Sequence, residues 1–365
     1  MKRHNRLKKH TLGLAAALLV TAGMSQIALA GDSVYVNTSS LRYRTSAQIK
    51  DNNIAGNLSY GQKLERVGTS GQWTMILLNG KKYYVSSAYV TSKNPASAGA
   101  VQTTSQTAAG AQTSGGTAIA LSSNYKYANY SKINSGTATL YRSTASNKKN
   151  KVVCVNAGHG TNGGGSVKTQ CHPDGSAKVT GGTTGAGATS AVAVSSGMTF
   201  ADGTAESKVT LAMAKVLKTK LLNAGYDVLM IRESDDVQLD NIARTVIANN
   251  NADCHIALHW DSTSSNKGAF FMSVPSNATY RAMEPVASHW KQHNQLGESL
   301  ISGLKSAGVK IYSKGSMEMD LTQTSYSTIP SVDIELGDKA SDHSGATLET
   351  LANGLLTGVN TFFGQ

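Results

Sequence analysis

From residue 151 to the C-terminus, apolar runs of strand length alternate with stretches whose apolar residues recur at helical spacing, an order that few folds accommodate. Strands are expected at 151–156, 226–231, 254–259, 269–274, 309–312 and 331–336. Helical spacing joins Val209, Met213, Val216, Leu217 and Leu221, then Leu239, Ile242, Val246 and Ile247. It returns at Val286, Trp290, Leu300, Ile301 and Leu304, and at Leu348, Leu351, Leu355, Val359 and Phe362. Gly225 and Gly308 stand where helix C-caps are expected. The alternation predicts an α/β domain over 151–365: an open, mostly parallel sheet with helices on both faces. Its functional groups should gather beyond the C-terminal ends of the strands.

The residues ahead of 151 divide three ways. Positions 1–30 carry a basic start (Lys2, Arg3, Arg6, Lys8, Lys9), an apolar run from Leu12 to Val20 and the string Ala28-Leu29-Ala30, the pattern of a cleaved export signal. No later stretch is apolar for long enough to span a bilayer, so no membrane span is expected after signal removal. Residues 31–92 hold short alternating strands between Asn-, Gly- and Ser-rich turns, which predict a small all-β barrel. The string SLRYRTSAQIKDNNIAGNLSYGQKLERVGTSGQWTMILLNGKKYYVSSAYVT resembles the bacterial SH3-like domains of cell-wall hydrolases, in its Leu-x-x-Arg start, Gly-Gln-Trp turn and Tyr-Val-Ser-Ser-x-Tyr-Val end. Trp73, Tyr83, Tyr84 and Tyr89 either line a groove for glycan or peptide or complete the barrel core and rim.

Residues 93–150 read as a flexible basic linker, because 93–120 hold hardly a large apolar residue and cannot offset ordering entropy. Its last part carries Tyr125, Tyr127, Tyr130 and Tyr141, enough for a hairpin added to either neighbour. Net charge follows the same boundaries: +4 for 31–92, +6 for 93–150 and −3 for 151–365. A basic module outside the cell gains from any polyanion, and nucleic acid is scarce there. The expected partner is therefore an anionic cell-wall polymer and not nucleic acid, with a merely solvated surface as the other reading. Three cysteines, Cys154, Cys171 and Cys254, are too few for a disulfide framework. Cys154 and Cys254 fall in expected buried strands and would bridge only if those strands are neighbours.

Four positions in the α/β half bear chemistry. The strand before residue 158 delivers His159 between two glycines, where a lone histidine is more often a satisfied polar group than a ligand. Glu206 opens a helix after Thr204, a plausible N-cap, and in isolation reads as an acid facing the helix dipole. His255 and His259 would form a zinc pair on a helix, but their run fits a strand, where they stand roughly 13 Å apart. His259 is then the ligand candidate and His255 is structural. Finally, the strand in 329–337 delivers Glu335 at its end, a buried-edge carboxylate that needs a cation or a proton to handle.

In this order the strings resemble the zinc-dependent N-acetylmuramoyl-L-alanine amidases that cut peptidoglycan. That family's pattern is a strand ending in Gly-His-Gly, a glutamate opening the next helix, a strand ending in histidine, and a Pro-x-Val-x-x-Glu-Leu-Gly strand. Here these are AGHG, the helix from Glu206, HIALH and IPSVDIELG, with MIRESDDVQLDNIARTVIANNNAD matching its Arg-x-x-Asp stretch and following helix. The resemblance covers 151–365 and implies Zn2+ held by His159, Glu206 and His259, with Glu335 as the catalytic carboxylate. It further implies a secreted, cell-wall-associated enzyme whose partner is peptidoglycan and whose target is the amide between N-acetylmuramic acid and L-alanine. The residue types agree: three protein ligands leave zinc one open position, the ion acidifies water and polarises the scissile carbonyl, and Glu335 takes the proton and returns it to the leaving amine.

The chain departs from the pattern at Asn156-Ala157, where Asp-Pro is common, and at Trp260-Asp261, where Ala-Asn is. The long Gly-, Ser- and Thr-rich segment 160–203 is expected to form a lid or substrate wall, with its His172 as an alternative ligand. Two other readings compete. A cysteine-type cell-wall endopeptidase needs a thiol at a helix N-terminus beside a histidine, and no cysteine is so placed in the expected elements. A non-catalytic cell-wall-binding protein would have no need of the complete set His159, Glu206, His259 and Glu335.

Overall fold

The computed structural model describes residues 32–37, 40–48, 50–59, 61–92 and 116–365, which fall into two compact units. The expected export signal, 1–30, and the 93–115 part of the expected linker lie outside the described residues. In the first unit, β1 (Asp32–Val36), β2 (Ser40–Arg44), β3 (Ile54–Ser59), β4 (Lys63–Ser70), β5 (Trp73–Leu78), β6 (Lys81–Ser86) and β7 (Val90–Thr91) form one antiparallel sheet. The strand order is β3-β2-β6-β5-β4-β1-β7. Alternation along the strands turns Val34, Val36, Leu64, Ile76 and Val85 into a common core. Trp73, Tyr83 and Tyr84 are half-buried, and Tyr89 is exposed.

The second unit is built on an eight-stranded sheet. Its strands are β8 (Thr117–Ala120), β9 (Thr137–Tyr141), β10 (Val152–Ala157), β13 (Asp227–Met230), β14 (Cys254–Asp261), β15 (Ala269–Ser273), β16 (Ile311–Glu318) and β17 (Ser331–Asp338). A separate pair, β11 (Lys168–Gln170) and β12 (Ser190–Val192), lies between β10 and the first helix in sequence. The helices are α1 (Glu206–Asn223), α2 (Asn241–Asn251), α3 (Ala278–Ala282), α4 (Val286–Ser306), α5 (Thr322–Tyr326) and α6 (Gly345–Phe363).

The sheet order is β16-β15-β17-β14-β10-β13-β9-β8. β13, β10, β14 and β17 run parallel to one another as neighbours, and so do β15 and β16; β9 joins β13, and β15 joins β17, antiparallel. The sheet is therefore mixed, where the sequence led us to expect a mostly parallel one. The short connection 262–268 explains one margin, because it leaves no room for the crossover that a parallel return requires. The other margin is the β8–β9 hairpin, so the tyrosine-bearing segment joins the larger unit. It is tied there by Asp240, whose carboxylate accepts from Ser131 Oγ and the Lys132 and Ile133 amides at 2.6–3.0 Å. Tyr127 and Tyr130 pack edge-on against Tyr326, with centroids 5.6 and 5.5 Å away.

Two apolar layers cover the sheet. Val153, Val155, Cys254 and Ile256 pack with α1, α4 and α6, whereas Cys154, Leu229 and Ile231 pack with Ala243 and Ile247 of α2. Cys154 and Cys254 thus occupy neighbouring strands but opposite faces, and all three cysteines are free. Some local expectations shift. Ala205, not Thr204, precedes α1, and the Thr204 amide is bonded to Asp202 Oδ1. The strand expected at 309–312 runs instead from Ile311 to Glu318, a partly exposed edge whose polar second half hid it. Gly225 and Gly308 do follow α1 and α4 with left-handed φ of 98° and 82°. Among the described residues, no helix is long and apolar enough to cross a membrane.

Two buried histidines, His255 on β14 and His293 on α4, meet Ser331 at the start of β17. The Ser331 amide donates to His293 Nδ1 at 3.0 Å, and the Ser331 hydroxyl lies 3.3 Å from His255 Nδ1. Burial, helped by Arg244 for His255 and by His289 for His293, pulls each imidazole down to about 3. The unfolded chain binds these protons near pH 6.5 and the folded chain does not, so stability should fall as pH drops from 6.5 towards 3. The slope is about 1.4 kcal/mol per pH unit for each histidine at its steepest. Urea unfolding followed at pH 7 and pH 5 checks this; equal midpoints would refute it.

Candidate active site

The chain leaves β10 through α1 to β13 on one side and then crosses back through α2 to β14 on the other, so the winding reverses at β10. Such a switch point opens a crevice beyond the strand's carboxyl end. His159 stands there, two residues past β10, in the left-handed region at φ 62°, a costly conformation for a non-glycine residue. Two buried arginines hold the turn. Arg232 donates to the Ala157 and Gly158 carbonyls, and Arg244 to the carbonyls of Ala157 and His159. Arg244 also donates to Asn156 Oδ1 at 3.1 Å, which gives the departure at Asn156 a local role.

Glu206 is the first residue of α1, and both its carboxylate oxygens accept backbone hydrogen bonds: Oε1 from Trp260 at 3.0 Å and Oε2 from Met198 at 2.8 Å. His259 lies on β14, directly opposite Glu335 on β17. Glycine permits the close approach. A Cβ on Gly158 would meet the His259 ring at 2.2 Å, and one on Gly197, whose φ is 83°, would meet His159 and Glu206 at 2.8–2.9 Å.

His159 Nε2, Glu206 Oε1 and His259 Nδ1 converge. The separations are 2.9 Å from His159 to Glu206, 3.2 Å from His259 to Glu206 and 3.0 Å between the histidines. Donors held about 2.0–2.2 Å from one tetrahedral ion stand about 3.3–3.6 Å apart, so the trio needs only a few tenths of an ångström to close on a cation. Nitrogen, oxygen and nitrogen donors make this cluster able to bind a metal. The other nitrogen of His159, Nδ1, lies 2.8 Å from the Ser195 carbonyl and can only donate to it, which leaves Nε2 with its lone pair.

The electrostatics ask for positive charge. Asp333 and Glu335 face the same cavity, and Asp333 Oδ1 and Glu335 Oε2 are buried without a hydrogen-bond partner among the described residues. Burial and the neighbouring Asp333 push the Glu335 carboxyl well above its usual range; burial raises Asp333 too. Burial opposes charge on His259, yet Asp333, Glu206 and Glu335 outweigh it and carry the imidazole up to about 10. Burial would also raise Glu206, but hydrogen bonds from His159 and His259 prevail and hold it well below the usual carboxylate range.

The cavity measures about 450 Å³, and the 160–203 segment forms one wall through Lys178, Thr183, Thr184, Val192 and Val194. That wall is fastened to Asp320, which accepts from Lys178 Nζ, the Val179 amide and the Thr180 amide at 2.8–3.0 Å. His172 also engages Asp320, at 3.0 Å through Nε2, with Ser176 at its Nδ1. The ring is thereby occupied within the wall and stands apart from the His159, Glu206 and His259 cluster. His255 is buried at the start of β14, likewise outside the cluster.

All three cysteines are buried, and burial raises each thiol pKa, which is the reverse of what a nucleophilic thiolate needs. Sequence reasoning missed Asp333, although its place two residues before Glu335 on one strand was a usable signal. It also missed Ser195, Gly197 and Met198, which serve the site mainly through backbone in an irregular loop.

Residues 153–353, more than half of the chain, match the Amidase_3 family, N-acetylmuramoyl-L-alanine amidase. No curated protein matches the chain. Among solved structures, the chain is similar to the N-acetylmuramyl-L-alanine amidase Ami1 from Mycobacterium smegmatis, with 18% identity over 60% of this chain and 99% of that one and a TM-score of 0.49. It is similar to Ami1 from Mycobacterium abscessus, with 19% identity over 58% and 98% and a TM-score of 0.45. An N-acetylmuramoyl-L-alanine amidase from Clostridium difficile 630 follows at 16% identity over 59% and 97%, with a TM-score of 0.41. The family match runs from the strand before His159 through Glu206 and His259 to Glu335, and the chain belongs to the N-acetylmuramoyl-L-alanine amidases, hydrolases of the amide that joins N-acetylmuramic acid to the L-alanine of the peptidoglycan stem peptide.

Proposed function

We propose that His159, Glu206 and His259 bind a catalytic zinc ion and that Glu335 moves the proton during hydrolysis. The observation that carries this reading is the approach of three donor atoms to within 4.8 Å of one another beside an unpartnered carboxylate. When bound, zinc supplies Lewis acidity that acidifies water and polarises an amide carbonyl. Glu335 then accepts the attacking water's proton and returns it to the alanine nitrogen as the C–N bond breaks. Its elevated pKa favours the return, and a dication beside it favours the ionised form that accepts the proton first. The wall from 178 to 194 would orient the stem peptide and exclude bulk water.

The reading extends to the rest of the chain. Residues 1–30 would direct export, 31–92 would form an SH3-like barrel, 93–115 would act as a linker, and 151–365, extended by the β8–β9 hairpin, would be the catalytic domain, placing the enzyme outside the cell and on the wall. Arg42, Lys50, Lys63, Lys81 and Lys82 are exposed on the first unit, which supports attraction to anionic wall polymers. Mass spectrometry of peptidoglycan digested by the full chain should find free stem peptides bearing a new alanine amine. Cleaved glycan strands with intact lactyl amides would overturn the assignment.

A further inference from the structure

We propose that Asp333 is a positioning residue for His259, fixing which of its ring nitrogens faces the ligand cluster. The inference rests on the metal reading above. Asp333 and Glu335 lie two positions apart on β17, so both side chains leave the same face of the sheet, and both line the cavity. Asp333 Oδ2 stands 3.6 Å from His259 Nε2, and Oδ1 is buried without a partner. On the other side of the same ring, Nδ1 faces His159 Nε2 and Glu206 Oε1 at 3.0 and 3.2 Å.

A neutral imidazole carries one ring hydrogen. With that hydrogen on Nδ1, His259 would offer the cluster a donor and no lone pair. With it on Nε2, the hydrogen faces a carboxylate and the lone pair of Nδ1 faces the cluster. The Asp333 oxygen beside Nε2, an acceptor, selects the second form. The separation of 3.6 Å is longer than a hydrogen bond, and a small swing of either side chain closes it. His159 is set in the same way from the opposite side, by the Ser195 carbonyl 2.8 Å from its Nδ1. The two histidines therefore present opposite ring nitrogens, each fixed by a different group: a loop carbonyl for one and a strand carboxylate for the other. Outer partners of this kind govern metal affinity about 10–100-fold.

The test uses the full chain, stripped of metal and titrated with zinc against a chromophoric chelator, together with ¹H–¹⁵N ring spectra of the zinc-loaded protein. The wild type should show His259 bound through Nδ1 with its hydrogen on Nε2. Asp333→Leu should weaken zinc binding about 10–100-fold. Asp333→Asn, which keeps an acceptor oxygen without the charge, should fall between. Zinc on Nε2 of His259, or an Asp333→Leu variant that binds within about twofold of wild type, would overturn the role of Asp333. Should the leucine variant not fold, the wild-type spectrum decides. A wild type that binds no zinc would instead defeat the metal reading, and this inference with it.

Discussion

Glu335→Gln should keep its zinc and lose about 10²–10⁴-fold in kcat, with KM little changed. Glutamine matches the shape of the carboxylate but cannot shuttle a proton, and Glu335 is the residue directly opposite His259 on the neighbouring strand. The variant carries a second signature. Because the folded-state pKa of Glu335 is raised, its ionisation works against the fold above the ordinary glutamate range. The metal-free variant should therefore melt at a higher temperature than the metal-free wild type at neutral pH. Hydrolysis within a few-fold of wild type would remove Glu335 from the mechanism.

Chelation should abolish hydrolysis altogether, and one equivalent of zinc should restore it. The same addition should do nothing for Glu206→Ala, which removes the oxygen shared by both histidines in the metal-free cluster. Binding would also register as stability. A ligand at a thousand times its dissociation constant adds about 4 kcal/mol to the native state, so the wild type should gain melting temperature with zinc and Glu206→Ala should not. Full activity in excess chelator, with the metal content measured as negligible, would refute zinc dependence. The thiol alternative predicts that outcome, but all three cysteines are buried, Cys154 and Cys254 within the apolar layers of the sheet.

What could be read in advance follows from how each group is held. His159, His259 and Glu335 sit on or just beyond apolar strands, and Glu206 opens a helix, so hydrophobic periodicity points to all four. The parallel centre of the sheet was legible for the same reason. Its margins were not, because direction at an edge depends on loop length and on partners distant in sequence. The β8–β9 hairpin buries little beyond Ala138, and its attachment runs through the Asp240 carboxylate and the Tyr326 ring, contacts that no local pattern reveals. Asn156 looked like a defect in a motif and turns out to bond Arg244. Ser195 and Met198 act through a carbonyl and an amide that every residue possesses, so their identity says nothing of their duty.

Engineers who wish to redirect this enzyme to other stem peptides would naturally graft a foreign loop in place of 160–203. The Ser195 carbonyl beneath His159 makes that exchange hazardous, since the graft would discard a support of His159 along with the cavity wall. Replacement confined to 181–192, with the Asp320 partners at 178–180 and the stretch from Ser195 to Met198 left intact, would change the wall while keeping both of these supports.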